Sequence, residues 1–271
     1  MVGKKRLLER YLDWNVIKLI LFVLMHMVLK RKREQYKELK IVRGVFDERT
    51  LLVLYRLLNK NKISAQSLIK QGKESVILSG KTNDGNLVAI KVYCLEACDF
   101  KTMWKYLIGD PRFQDIRKNR RAIVKVWCQR EFKNLRTAYE NGVYCPKPIA
   151  FMENVLIIDF IGEESEFAPR LIDIIPEDPE ELYEMVLENL KKLVNAGLVH
   201  GDLSAYNILF WDKPYFIDMS HGTMIKSPLA LELLRKDVEN VNSYFKKLNV
   251  KTDTEKTYKE LEQLIKEKVT K

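Results

Sequence analysis

Apolar residues recur along the chain at two periods, 3.6 and 2, and the switches between them outline the elements. Leu51, Leu54, Tyr55 and Leu58 follow Thr50 on one helical face, which Asn59-Lys60-Asn61 closes. Ser64 opens a second short helical stretch through Leu68 and Ile69. Residues 75–79 and Leu87–Tyr93 read as strands about a turn at Asn83-Asp84-Gly85, the composition of a hairpin. Helical spacing returns over 127–139 and stops at Asn141-Gly142. Pro146 and Pro148 lead to an apolar strand at 155–160, and Leu182, Val186, Leu190 and Leu193 space a helix that ends at Gly197. Short strands at 207–210 and 215–217 enclose Trp211-Asp212-Lys213-Pro214. The remainder is helical, with Tyr258, Leu261, Ile265 and Val269 on its last apolar face. A strand-rich first half and a helix-rich second half meet near Gly162, which predicts a two-lobed α+β fold.

Composition narrows the class. The 271 residues are 46% hydrophobic and 31% charged, too apolar for a disordered chain. Cys94, Cys98, Cys128 and Cys145 form no C-x-x-C pair and only three histidines accompany them, which argues against a zinc site or a disulfide scaffold. A reducing, cytoplasmic compartment is expected. The net charge of +10 is concentrated: residues 1–43 and 101–136 each carry +8, on a body that is mildly acidic. Two basic islands of this kind are either polyanion contacts or solvated faces. Residues 94–125, with Gly109-Asp110-Pro111 in their middle, read as an ordered insertion or a mobile loop.

Residues 14–29 are mostly apolar and flanked by Lys4-Lys5-Arg6 and Lys30-Arg31-Lys32-Arg33. The run is short for a spanning helix and is interrupted by Lys18 and His26. An interfacial anchor, a helix docked on the body, and upstream sequence preceding a start at Met25 or Met27 are the three readings. The last two are favoured, and a membrane is not an expected partner.

The segment richest in chemistry is His200-Gly201-Asp202-Leu203-Ser204-Ala205-Tyr206-Asn207, with Asp218 eleven residues on. Phosphoryl transfer needs a carboxylate near the acceptor and oxygen ligands that hold metal on the nucleotide phosphates. A D-x4-N loop between a helix and a short hairpin puts Asp202 and Asn207 at one mouth, where Asp218 reaches the same ion. Asn207 and Asp218 are the oxygen donors that Mg2+ takes. Alone, this Asp and Asn would be ordinary turn residues. Upstream, however, Val88-Ala89-Ile90-Lys91 reproduces the strand whose lysine contacts nucleotide phosphates in protein kinases, and Glu131 is available to pair with Lys91. Gly72-Lys73-Glu74-Ser75 lies where a nucleotide-covering loop belongs, between helix and first strand, although it has one glycine rather than three.

Departures from the usual kinase pattern are as informative. Gly201 stands where most protein kinases have Arg, so a phosphorylated activation loop has no guanidinium to pair with. Asp218-Met219-Ser220 replaces D-F-G, no A-P-E follows, and too few residues remain for peptide-docking helices. Taken together, Gly72-Lys73-Glu74, His200-Gly201-Asp202-Leu203-Ser204 with Asn207, and Ile217-Asp218-Met219-Ser220 resemble the RIO family of atypical serine/threonine protein kinases. The resemblance is to the first, archaeal-type subfamily, and extends to Val45-Phe46-Asp47, Arg112-Phe113, Trp127, Glu131, Asn134, Leu135 and Leu234-Arg235-Lys236-Asp237-Val238. Ala205, His221 and Lys70-Gln71 differ from the residues common there.

The resemblance implies a trimmed, two-lobed protein-kinase-like fold with a small helical N-terminal addition. It divides into an N-terminal extension (1–40), an N-lobe (41–161) with the nucleotide loop and basic insertion, and a C-lobe (162–271) with the catalytic and metal loops. It implies ATP with Mg2+, or Mn2+, as cofactors, and Asp202 as the catalytic carboxylate. Asn207 and Asp218 become metal ligands, with Asp218 also a candidate phosphoryl acceptor. Nucleotide contacts would come from Gly72, Lys73, Val76, Lys91 and Glu131, and from Asp159 and Ile161 on the inter-lobe strand. The expected role is kinase or ATPase action in small ribosomal subunit maturation, with the subunit precursor, its RNA and protein substrates as partners. Two alternatives stand beside it. One is a small-molecule phosphotransferase of the aminoglycoside/choline kinase type, which also uses H-G-D-x4-N. The other is a nucleotide-sensing ribosome assembly factor with little kinase activity.

Overall fold

Asp47 accepts the Thr50 N–H at 2.9 Å and so starts α1 (Glu48–Lys60). The computed structural model describes residues 46–113, 116–163 and 166–270. The N-terminal extension, its apolar run at 14–29, and Val45 lie outside the described residues. Among the described residues no helix is long and apolar enough to cross a membrane.

The described chain forms two compact units, residues 46–98 with 150–157, and residues 99–149 with 158–270. The first is built on α1 and a five-stranded sheet of order β1-β2-β3-β5-β4. Its strands are β1 (Ile63–Gln71), β2 (Ser75–Thr82), β3 (Leu87–Tyr93), β4 (Pro148–Met152) and β5 (Val155–Asp159). The stretch from Ser64 through Ile69, expected as a helix, is instead the middle of β1. Two register irregularities, between Ala65 and Leu68 and between Leu68 and Lys70, break its alternation. With its period of two disrupted, the strand loses the pattern that would have announced it. Asn154 joins three elements here, donating to Thr50 Oγ1 at 3.1 Å and to the Tyr93 carbonyl at 2.8 Å.

In the second unit the basic stretch is ordered where described. It forms α2 (Phe100–Ile108), capped by Asp99, and the start of α3 (Arg120–Glu140), capped by Asn119 through the Ala122 N–H at 2.9 Å. The helix expected over 127–139 therefore begins seven residues earlier. Arg120, Arg121 and Lys125 dilute the apolar period of its first turns, although Ile123 and Val124 are buried there. Then come β6 (Gly162–Glu163), β7 (Glu166–Phe167) and α4 (Pro179–Asn195), which buries Leu182, Val186, Leu190 and Leu193 as its spacing demands. Strand pairs β8 (Leu198–Val199) with β11 (Thr223–Met224), and β9 (Ile208–Phe210) with β10 (Pro214–Phe216), precede α5 (Ala230–Lys247) and α6 (Thr254–Thr270). Tyr258, Leu261 and Ile265 are buried as expected, but Val269 is 44% exposed in the last turn of α6.

Asn189 on α4 is fully buried and satisfied by backbone alone. Its Oδ1 accepts from Tyr144 N at 2.7 Å, and its Nδ2 donates to the carbonyls of Tyr144 and Pro214 at 3.1 Å each. Asn189→Leu keeps the volume and removes all three bonds, leaving Tyr144 N and the Pro214 carbonyl without this partner while the Tyr144 carbonyl still accepts from Phe216 N at 2.8 Å. It is expected to lower the unfolding free energy by about 3 kcal/mol in urea titrations. A loss under about 1 kcal/mol would mean that the bonds add little to stability.

Candidate active site

The β9–β10 hairpin brings the two ends of the candidate site together. Asn207 precedes β9 and Asp218 follows β10 by two residues, and Ile217 N donates to the Asn207 carbonyl at 3.0 Å. Asn207 Nδ2 donates to the Asp202 carbonyl at 2.8 Å and to its Oδ2 at 3.2 Å. The carboxamide is thereby oriented: its amino group faces Asp202, and its Oδ1 is the atom available to a cation. Asp218 Oδ1 accepts from Ser220 Oγ at 2.9 Å. Asp202, Asn207 and Asp218 are all half-buried, open enough to meet a ligand.

This donor set fits a hard ion. Among the described residues no group of three or more His, Cys, Asp or Glu is placed to hold a metal. One carboxylate with one amide oxygen, completed by phosphates and water, is the sparse oxygen shell that Mg2+ accepts and Zn2+ does not favour.

Two buried groups hold the loop that carries Asp202. His200 is neutral, because burial drives its imidazole down to about 4, and its Nε2 donates to the Ile217 carbonyl at 3.0 Å. Asp237, fully buried on α5, accepts from Gly201 N at 2.8 Å and Leu203 N at 2.7 Å. Burial pushes its carboxyl up to about 7 against these two N–H donors, which pull it down. Asn240 adds a bond to the Leu203 carbonyl at 3.0 Å. Gly201 has a φ of +79°, and a Cβ there would lie 2.9 Å from the His221 carbonyl oxygen. The absence of Arg at this position thus has a steric and conformational cause.

Residues 219–222 pack against α2 and α3. His221 sits edge-on to Tyr106 and Trp127, with centroids at 5.0 and 5.1 Å. Asn134 on α3 donates to the carbonyls of Met219 and Gly222 at 2.8 Å each.

The remaining expected residues divide between the units. In the first, Gly72-Lys73-Glu74-Ser75 is the turn of a hairpin between β1 and β2, not a connection from helix to strand, because β1 replaces the expected helix. Gly72 N donates to the Ser75 carbonyl at 2.8 Å, and Lys73 is exposed. Val76 is buried opposite Val92, and Lys91 is buried opposite Ile77 with its Nζ 4.9 Å from the Tyr93 ring. In the second, Glu131 is buried on α3, Asp159 ends β5 with its carboxyl raised by burial, and the Ile161 carbonyl accepts from Ala168 N at 2.9 Å.

Asp237, Asn134 and Asn240 had no assigned roles in the sequence. Asp237 was detectable, since it falls in register with Leu233, Leu234, Val238 and Val241 on the buried stripe of α5. A carboxylate in an apolar stripe needs donors. Asn134 likewise lies on the buried face of α3 with Trp127 and Leu135.

His200 and Asp237 give opposite pH dependences. From about pH 4 to its ordinary value near 6.5, His200 binds a proton when unfolded but not when folded, so its contribution to stability rises with pH. Asp237 holds a proton when folded but not when unfolded between its ordinary 3.8 and about 7, so its contribution falls as pH rises. Asp237→Asn is expected to leave stability rising more steeply from pH 4 to 6.5, and His200→Asn to leave it falling, relative to a flatter parent profile. Parallel profiles for all three proteins by thermal unfolding would contradict both assignments.

A RIO domain family model matches residues 76–258. The RIO-type serine/threonine-protein kinase Rio1 of Methanocaldococcus jannaschii is 41% identical over 236 residues, covering 86% of this chain and 80% of that protein. The Rio1 kinase of Haloferax volcanii is 37% identical over 223 residues, covering 82% and 77%. Crystal structures of the Rio2 kinase of Chaetomium thermophilum, as an ADP/Mg2+-phosphoaspartate complex and by itself, match with TM-scores of 0.60 and 0.61. Each covers 94% of this chain and 87% of its own, at 17% and 18% identity, so what they share with it is the trimmed kinase-like α+β fold. With the family match running from β2 into α6 and the loop of Asp202, Asn207 and Asp218 inside it, this enzyme belongs to the RIO-type serine/threonine-protein kinase family.

Proposed function

We propose that the chain transfers the γ-phosphoryl group of ATP with Mg2+, as a kinase, an ATPase or both, in cytoplasmic maturation of the small ribosomal subunit. The observation that carries the chemistry is the oriented Asn207 carboxamide. By donating to Asp202 it directs its own oxygen outward and restrains the Asp202 carboxylate in one set of contacts. Asp218 and Asn207 would hold the metal, which when bound offsets charge on the phosphates. Lys91 would act on the α/β-phosphates, with Glu131 the carboxylate expected to orient it, Gly72, Lys73 and Val76 would cover the nucleotide, and Asp159 and Ile161 would meet the adenine. The protein-kinase names of the relatives support this reading over a small-molecule phosphotransferase.

Asp218 is the proposed first acceptor. Its carboxylate oxygen attacks the γ-phosphorus, the bond to the β-phosphate oxygen breaks, and ADP leaves. Water, positioned by Asp202 as proton acceptor, then attacks phosphorus and releases phosphate, regenerating the carboxylate. The phosphoaspartate of the fungal Rio2 complex supports this route. Brief exposure to ATP followed by hydroxylamine is expected to mark Asp218, and Lys91→Met to abolish the mark and ATP turnover together, with Glu131→Ala impaired less. Phosphate found on Ser or Thr alone would reject the intermediate, and full turnover in Lys91→Met would reject the nucleotide site.

RNA is the proposed partner of the basic insertion. A cavity of about 300 Å3 beside α3 is lined by Arg112, Arg117, Lys125 and Gln129, with Phe113, Ile116 and Val126 as apolar wall. Replacing Lys118, Arg120 and Arg121 with Gln is expected to weaken binding of all RNA sequences alike. It should also flatten the dependence of log affinity on log salt by about one unit per lost phosphate contact. An unchanged slope would make these residues solvated surface.

A further inference from the structure

Asp218 has φ 59° and ψ 54°, a left-handed conformation that aspartate tolerates better than most side chains, so that the residues following it set where its carboxylate lies. Besides its own Gly222 N to Met219 carbonyl bond and the ring packing of His221, the turn that follows is held at both ends by one side chain. Asn134, fully buried on α3, uses both Nδ2 protons, one on Met219 O and one on Gly222 O, and so brackets the turn at each end. Gly222 is fitted to this contact, since a Cβ there would lie 2.9 Å from Asn134 Nδ2.

A carboxamide can rotate by half a turn, and the reversed Asn134 would set its oxygen against two carbonyls. Arg112 prevents this by donating from Nη1 to Asn134 Oδ1 at 2.8 Å. Arg112 is in turn fixed by a fork on Asp110, with Nε to Oδ1 at 2.9 Å and Nη2 to Oδ2 at 2.6 Å. The buried Arg130 guanidinium lies against the same carboxylate, 3.3 Å from Nε to Oδ2. Asp110, Arg112 and Asn134 therefore form a directed chain in which each member sets the orientation of the next.

We infer that this chain is a positioning device for Asp218, through which Asp110 and Arg112, between α2 and α3, set the metal affinity of the site. The inference rests on Asp218 being a metal ligand, as proposed above. A purely structural polar cluster would stabilise the fold without acting on the metal selectively.

The test uses the full chain with Mn2+ as a spectroscopic probe, by electron paramagnetic resonance in the presence of ADP, and calorimetric titration of ADP without metal. Arg112→Ala, whose native side chain is partly exposed, and Asn134→Asp are compared with the parent and with Asp218→Asn. Asn134→Asp keeps the shape and the acceptor for Arg112 but removes both donors. Each is expected to raise the Mn2+ dissociation constant about tenfold while metal-free ADP affinity stays within about twofold, and the double variant to be no worse than Asn134→Asp alone. Arg112→Lys should not rescue, because an ammonium cannot reproduce the fork. Parent-like Mn2+ affinity in Arg112→Ala and Asn134→Asp, with Asp218→Asn impaired, overturns the positioning role alone. Equal losses of metal-free ADP and Mn2+ binding overturn it in favour of a structural cluster. Parent-like Mn2+ affinity in Asp218→Asn overturns the metal-ligand reading, and this inference with it.

Discussion

A carboxylate taken out of water needs hydrogen-bond donors, and Asp237 finds two in the backbone of the loop that carries Asp202. The dependence is mutual. Without Gly201 and Leu203 the α5 carboxylate would be buried unsatisfied, and without Asp237 two loop N–H groups would lose their partners. The loop is consequently tied to a helix interior rather than to its sequence neighbours. Asn207, Ile217 and His200 complete the attachment from the other side, so that Asp202 and Asp218 approach the same region on irregular backbone.

The same solution recurs throughout the second unit. Asn134, Asn189, His200 and Asp237 are all fully buried polar side chains, and each binds backbone that lies outside regular hydrogen-bonded ladders. Fixed side-chain donors and acceptors give irregular segments the definition that a helix or strand obtains from its own backbone. The strands of this unit are only two or three residues long, and they would not hold such loops by pairing alone.

Much of the architecture was legible because its signals are local. The hairpin of β2 and β3 announced itself through two short strand-like runs about Asn83-Asp84-Gly85, and α4 through an unbroken apolar stripe. β1 was illegible because its bulges erase alternation, and the first turns of α3 because their exposed face is nearly all cationic. Asp202, Asn207 and Asp218 were identifiable by spacing in one short segment. The residues that hold them were not: Asn134 lies 85 positions from Met219, and Asp237 lies 36 from Gly201, distances at which no periodicity connects partners. An isolated polar residue within a buried stripe is the remaining trace, and it tells that a partner exists without telling which.

The close approach of Gly201 to the His221 carbonyl also limits which sequences lie one mutation away. Any side chain at 201 must meet that carbonyl and adopt a left-handed backbone, so an arginine there is harmful before it offers a new contact. The turn at 219–222 would have to retreat first, and its own glycine and Asn134 hold it in place. Glycine at 201 and the turn at 219–222 are therefore a matched pair, and a change at either is felt by the backbone of the other.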